Sequence, residues 1–454
     1  MSDSQEPPLR PANENPWYCL ATLHGEQPRD RLDKELAEKN HRAWQQWVGG
    51  ILNSTGRAEF LNAFIGRMGR PSHPPEPTEE IDFSDTSFDR RVIFHGFSFR
   101  ERAHFRSAVF SEEADFSGAQ FSGQSIDFSS AKFLGVANFS HAQFSVIGGS
   151  DFQSATFSDR VDFQYANFVD PNFHSVKFAD AAHFNHTRFT GRADFLSTIF
   201  SDVAHFDSAV FNNEADFESA TFAEATYFRS ATFSSLADFS KTTFSSHIYF
   251  VNAKFDGNTV FAHSCFAEHV PDFRGATLHQ ATEWHGIVWP KPPKNKDDAQ
   301  QQVYAYERLK QEMEQLKKHD DEQRFFRREL RARRGLVSPL SGKWLLNFAY
   351  DASSFYGNSV SRPLYWLLVV FAAGAAIFAR APIHCGAPMP LRLAIKLSFA
   401  NMFVFLPDKR EIMTPEMISC LSDTTRALSA IQSVSGVVLL FLLGLALRNR
   451  FRMK

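Results

Sequence analysis

Six side chains of this 454-residue chain recur at a spacing that invites a cation or a basic partner. Asp127, Asp151, Asn172, Asp194, Asp216 and Asp238 fall roughly 22 residues apart. If the chain completes one turn in that interval, they stack into an acidic stripe. Such a stripe could hold cations or imitate the phosphates of a nucleic acid. It could equally serve corners, where Asp and Asn turn the chain and keep a surface wet. The same construction on the opposite face gives Asn138, Asp162, His183, His205, Tyr227 and Tyr249. His183 above His205 carries donors for a metal ion, and also reads as a solvated ladder pair. Between Ile81 and Trp289 there are 25 acidic and 14 basic residues, a net of −11. The four cysteines, Cys19, Cys265, Cys385 and Cys420, form no CxxC pair, which argues against a zinc or redox motif. There is no P-loop, HExxH or GxSxG. Neither catalysis nor a cofactor is expected.

The elements that would align these residues are marked by phenylalanine, 49 of them against 7 Trp and 9 Tyr. Phe105, Phe116, Phe128 and Phe139 open successive units, and Phe110, Phe121, Phe133 and Phe144 follow each by five residues. Spacings alternate five and six from Phe83 to Phe273, with a small residue such as Ala114, Ala119, Ala215 or Ala220 two places before most rings. Neither the helical period of 3.6 nor the strand period of 2 explains this. A chain that turns a corner about every five residues does, by placing Phe and the small residue inside together. About nine coils at ~4.8 Å each would make a rod roughly 40 Å long. Wider gaps at Phe121–Phe128, Phe144–Phe152 and Phe266–Phe273 read as small loops pushed out of corners.

The stretch Ala114-Asp115-Phe116-Ser117-Gly118-Ala119-Gln120-Phe121 resembles the pentapeptide-repeat family in its Phe-rich eleven-residue form, and the likeness runs over roughly 190 residues. The resemblance implies a mainly β fold, a right-handed quadrilateral β-helix. It leaves activity open, because members range from DNA-mimicking gyrase-binding proteins to proteins of no known role.

The flanks differ in composition. Residues 1–80 are expected to form an N-terminal helical cap and a Pro-rich linker, with Leu36, Ala43, Trp44, Trp47, Val48 and Ile51 on one helical stripe. Residues 81–289 form the β-helix, and Trp284 and Trp289 are expected to cover its last coil. Residues 290–343 read as a linker and a basic amphipathic helix, Gln301 to Arg334, with Val303, Tyr306, Leu309, Met313 and Leu316 along one seam. That seam suits a short coiled coil or packing along the rod.

Residues 344–454 read as an interfacial helix and a two-span membrane hairpin, Leu364–Ala379 and Ala427–Leu447, with a short re-entrant segment at Leu393–Leu406. Arg327, Arg328, Arg331, Arg333 and Arg334 precede the first span, while Arg448 and Arg450 follow the second. Both ends are therefore expected in the cytoplasm, in keeping with a polar Met1–Asn15 that lacks a signal-peptide core. Cys385 and Cys420 fall in the outer loop, where a disulfide is expected if that compartment oxidises. Gln432, Ser429, Ser433, Gly436 and Gly444 could associate helices between copies or pack the hairpin on itself. The expected partners are membrane lipid, a protein bound by the rod, and a second copy through the membrane helices; nucleic acid is not expected. A membrane-anchored, cytosol-facing scaffold is the leading reading. An oligomeric two-helix pore with the rod as its gate is the alternative, although no TVGYG-like filter follows Leu406.

Overall fold

The computed structural model describes residues 9–293, 295–380, 389–404 and 421–452. The chain divides into two compact units, one ending at Lys291 and the other beginning at Pro292.

In the first unit, strands of two or three residues between Ile81 and Phe266 build four parallel sheets. One coil shows the plan. Ala215–Asp216 lies on the first face, Thr221–Phe222 on the second, Thr226–Tyr227 on the third and Thr232–Phe233 on the fourth. Ala237–Asp238 then pairs in register with Ala215–Asp216 to start the next coil. Eight coils are complete, and Thr259–Val260 and Cys265–Phe266 add two faces of a ninth. The expected ninth coil is not finished, because the long step from Phe266 to Phe273 interrupts regular pairing. Single bridges such as Tyr249–Asp272 and Cys265–Val288 continue the path.

Four columns of phenylalanine fill the interior. Along a column the rings stack, as with Phe195 and Phe217 at 4.8 Å and 7°. Between columns they meet edge to face, as with Phe206 and Phe217 at 5.7 Å and 88°. Both are favoured arrangements of ring quadrupoles, and each buried Phe contributes roughly 1.5–3 kcal/mol. Ala215 and Ala220 are as buried as the rings they precede, since only a small side chain fits beside a ring column. After the first-face and third-face rings the chain turns through a left-handed residue such as Ser197, Ser208 or Ser219, with φ of 56°, 57° and 59°. This conformation is costly for an L residue. Two bonds hold it: the Ala220 amide donates to Phe217 O at 3.0 Å, and the Ser219 amide to Ser240 O of the next coil at 2.9 Å.

The loop expected at Val146–Ser150 is present, with Ile147 92% exposed, yet Val146 points inward and is buried. A compensating contraction follows at the same corner. Phe173 follows Phe168 by five positions instead of six, and Asp170 turns the chain at φ 45° while its carboxylate accepts the Arg192 amide at 2.7 Å. The long and short coils together restore the ladder, so Asp127 pairs with Asp151 and Asp151 with Asn172.

Both ends of the solenoid are closed. Arg10–Pro11 pairs with Thr86 and Ser87 and extends the second-face sheet. Helices α1 (Pro16–Ala21), α2 (Lys34–Val48) and α3 (Ser54–Met68) follow. Trp44 of α2 stacks on Phe97 at 5.1 Å and donates its indole N–H to Ser98 O at 3.0 Å. Tyr18 of α1 meets the edge of Phe88 at 5.4 Å. Ile51, expected on the buried stripe, is 74% exposed because α2 stops at Val48 before Gly49-Gly50. The Pro-rich linker is stitched down by two indoles: Trp47 donates to Pro75 O and Trp17 to Glu80 O. At the far end Trp284 stacks on Phe261 at 4.9 Å, and Trp289 lies 5.4 Å from Phe266.

The second unit is helical. The helix expected over 301–334 is two: α4 (Lys296–Gln315) and α5 (His319–Arg334). Lys317, at φ 58°, turns the chain back, so Phe325 and Ala332 of α5 are buried along with Val303, Tyr306, Leu309 and Met313. Lys310 closes the pair on Glu329 at 2.6 Å. The apolar seam is thus covered within this hairpin. Helices α6 (Gly342–Ser354), α7 (Ser361–Arg380), α8 (Leu391–Met402) and α9 (Asp423–Arg452) follow among the described residues. Helices α7 and α9 are long and apolar enough to cross a membrane, whereas α8 has 12 residues and packs against both.

Candidate functional site

The sheet register brings the acidic stripe together: Asp127, Asp151, Asn172, Asp194, Asp216 and Asp238 occupy one continuous ladder on the first face. Each uses its side-chain oxygen to turn its own corner. Asp127 accepts the Ser129 amide, Asp151 the Gln153 amide, Asn172 the His174 amide, Asp194 the Leu196 amide, Asp216 the Glu218 amide and Asp238 the Ser240 amide, all at 2.8–3.0 Å. These are Asx turns, and they give the stripe a structural reason independent of any ligand. Burial, with the charge of Asp127 behind it, holds the Asp151 carboxyl above the usual range, while Asn172 donates to it at 3.0 Å.

Asp216, Glu218 and Asp238 bring carboxylate oxygens close enough to hold a metal ion. Two cations of the chain already serve them: Arg192 reaches Asp216 and Lys241 reaches Glu218, each at 2.7 Å. Two of its three carboxylates are thus paired within the chain, and the third, Asp238, turns its own corner by accepting the Ser240 amide.

The third face departs from this scheme. Asp115, Asn138 and Asp162 turn their corners as the first face does. At the next four positions stand His183, His205, Tyr227 and Tyr249, whose rings stack at 4.9, 4.9 and 5.0 Å within 8° of parallel. Arg229 covers Tyr227 at 4.4 Å. With no Asx oxygen in place, the coil below supplies the acceptor: Asn185 takes the Asp207 amide and Asp207 the Arg229 amide. A second aromatic column, His141, Tyr165 and His186, runs beside it at 4.9 and 4.8 Å. Sequence reading missed this column, although its members recur at the coil spacing. Burial keeps the His183 and His205 imidazoles below their ordinary pKa, which favours the neutral form of the stacked rings.

In the helical unit the basic residues are distributed by partner. Arg333 binds Glu329 at 2.7 Å. Arg331 and Arg334 share Asp351 at 3.1 and 3.7 Å. Arg328 is hydrogen-bonded to Tyr306, and Arg327 lies on the ring of Phe355. Arg448 and Arg450 are exposed near the end of α9. Gln432 is the centre of a buried polar knot: its amide donates to Ser398 Oγ at 2.6 Å and to Val370 O at 3.2 Å, and accepts from Asn401 at 3.1 Å. Ser429 donates to Asn401 at 2.9 Å and Ser398 to Phe371 O at 2.8 Å. A Cβ on Gly374 would strike the Gln432 amide, so that glycine makes the approach possible. Of the two uses open to Gln432, packing the hairpin on itself is the one the bonds take up. The expected Cys385–Cys420 bridge lies outside the described residues, whereas Cys19 and Cys265 are free thiols.

Coils of four short parallel faces, repeated around ring columns, define a parallel β-solenoid. Residues 152–199 and 217–264 match the family model described as pentapeptide repeats (9 copies), a match that supports the repeat family for this part of the chain. No curated protein and no solved structure matches the chain.

Proposed function

We propose that this protein is a membrane-anchored, non-enzymatic scaffold whose solenoid offers its flat polar faces to a protein partner. The carrying observation is the inversion of the helical unit. Leu364, Leu368, Ile377, Ile431, Val434 and Phe441 face outward, while Ser398, Asn401, Ser429 and Gln432 are buried. Water selects the reverse arrangement. Hydrocarbon favours this one, because polar groups there have only one another as partners. Helix α6 repeats the pattern: Leu345, Leu346 and Phe348 are exposed while Asn347 and Asp351 bond inward to Leu330 O and Arg331. This suits a helix lying in the membrane interface. Asn449 near the end of α9 donates to Gly357 O just before α7 at 2.9 Å, so the start of α7 and the end of α9 lie side by side. The basic residues gathered there support a cytoplasmic position for both ends.

Alkaline carbonate washing of membranes from cells that make the chain tests the anchor. Retention in the pellet is expected, and release into the supernatant would overturn the reading. A pore is the competing reading. The bonds among Ser398, Asn401, Ser429 and Gln432 favour an anchor, since these polar groups are turned to each other rather than to a common lumen. Ion flux through liposomes containing the purified protein would favour the pore.

A further inference from the structure

The approach to α7 carries more positive charge than its neighbouring carboxylate balances. Arg331 forks onto Asp351 at 3.2 and 3.1 Å, Arg334 reaches the same carboxylate, and Arg362, in the first turn of α7, donates to Asp351 O at 2.8 Å. Arg327 has no ion pair among the described residues. Its guanidinium lies 4.9 Å from the centre of the Phe355 ring, and those of Arg331 and Arg362 approach the same ring at 5.0 and 4.6 Å. Burial, reinforced by the like charges of Arg324, Arg331 and Arg328, lowers the Arg327 pKa to about 10. Three cations thus gather on one aromatic ring; Asp351 is the carboxylate bonded there, and the charge of Asp320 offsets that of Arg327 only in part.

The backbone that presents the ring is itself unusual. Phe355 and Tyr356 both adopt left-handed conformations, φ 54° and 56°, and Gly357 follows at 76°. Bulky residues persist there only when their surroundings hold them, and such strain clusters at ligand sites. Tyr356 is buried with its hydroxyl donating to Asn347 at 2.7 Å, which fixes the turn from behind.

We propose that Arg327, Arg331 and Arg362, assembled on Phe355, bind the headgroup phosphate of an anionic phospholipid. The inference rests on α7 being a membrane span. In that setting Arg362 lies one turn outside Tyr365 and Trp366, the residue types that mark the headgroup level. Guanidinium forks match phosphate oxygens, and an added anion would relieve the charge that Arg327 holds without a carboxylate.

The test uses the full chain in neutral detergent, with native mass spectrometry to read retained lipid and thermal unfolding to read stabilisation. Phosphatidylglycerol, phosphatidylcholine and inorganic phosphate serve as the three probes. The wild-type chain is expected to retain phosphatidylglycerol about tenfold more tightly than phosphatidylcholine, which offers the same phosphate but adds a choline cation that the three guanidiniums repel. R327Q should erase that preference, and R327K should keep only part of it. R333Q makes the same charge change on the same helix, at a residue paired with Glu329, and should leave the preference intact. If R327Q does not fold, Phe355→Leu removes the assembling ring and should have the same effect. Equal losses in R327Q and R333Q would reduce the site to diffuse attraction and overturn it. Inorganic phosphate that stabilises as well as the lipid would replace the headgroup with a free anion. Release of the wild-type chain by carbonate would sink the anchor itself; a retained chain without lipid preference sinks only the site.

Discussion

The two units of this chain bury opposite kinds of residue. The solenoid encloses four columns of phenylalanine and sets Asp, Asn, His and Tyr outside, with every coil bonded to the next through its backbone. The helical unit encloses a knot of Ser398, Asn401, Ser429 and Gln432 and turns leucine, isoleucine and valine outward. Water selects the first arrangement, because it rewards a ring hidden from it; the second is the one hydrocarbon would select under the anchoring proposed above, because hydrocarbon rewards a hidden amide. The contrast also locates specificity. In the solenoid one packing rule is repeated, and coils stand out only at the Val146–Ser150 loop, at the short corner of Asp170 and where the third face changes its ladder residues. In the helical unit one set of bonds occurs once and fixes how three helices meet.

The largest effect should come from breaking a ring column. Phe195 is fully buried between Phe173 and Phe217, stacked at 4.9 and 4.8 Å. Phe195→Ala should cost about 3–5 kcal/mol in denaturant unfolding. Because coils touch only their neighbours, the unfolding transition should also broaden as the two halves uncouple. A loss below about 1 kcal/mol would mean that the columns are not the source of stability.

The outward face of the helical unit gives the next test. Val434 is 65% exposed on α9. Were it in water, Val434→Arg would change stability by no more than about 0.5 kcal/mol. In a bilayer it should cost about 2.5–3.5 kcal/mol of insertion, visible as chain released by carbonate. An unchanged pellet fraction would erase the contrast between the units. The inward face answers to a smaller change. Gln432→Leu leaves Ser398, Asn401 and Val370 O short of a partner, and should lower the melting of the helical unit by about 1–2 kcal/mol. The solenoid's own transition should stay where it was. A Q432L variant as stable as the natural chain would make the knot incidental.

How legible each unit was in the sequence follows from the same contrast. The solenoid repeats one local rule, so Phe spacing alone placed the coils, the inward alanines and the Asp127-to-Asp238 ladder in register. It overlooked the His141, Tyr165 and His186 column, whose spacing was periodic, and otherwise failed where periodicity gives no signal. The shortened corner at Asp170 passed unnoticed because it removes a residue instead of adding one, and the ninth coil was counted although Phe266–Phe273 breaks its pairing. In the helical unit, composition revealed the two apolar helices. It did not reveal that α4 and α5 fold back on each other, since Lys317 in a left-handed turn has no mark in a run of good helix formers. Nor could it show that Gln432 meets Ser398 and Asn401, which lie more than thirty residues earlier. The role of Phe355 was equally hidden, because three arginines from two helices reach it only once the turn at 355–357 is made. For the stripe, the corner-turning use read from Asp and Asn is the one the bonds take up at all six positions.

The smallest predicted effect separates two faces of the solenoid by their response to acid. On the third face burial outweighs Asp162 and lowers the His183 pKa below its ordinary 6.5, and His205 is lowered by burial and by His183. The unfolded chain therefore takes up these protons first. Stability linked to the pair is complete above pH 6.5 and drains away as the pH falls through the lowered folded values. On the first face Asp151 behaves oppositely: its raised pKa means that protonation relieves the folded state, so its contribution is lost as the pH rises through the folded value. His183→Asn installs the residue that occupies the equivalent place at Asn138, restores an Asx acceptor and removes one titrating group. Denaturant midpoints measured from about pH 7.5 to about pH 5 should fall less steeply in this variant than in the natural chain, with little difference at the upper end. Parallel slopes would show that the fold does not lower the His183 pKa, and the stacked column would then have no preference for neutral rings.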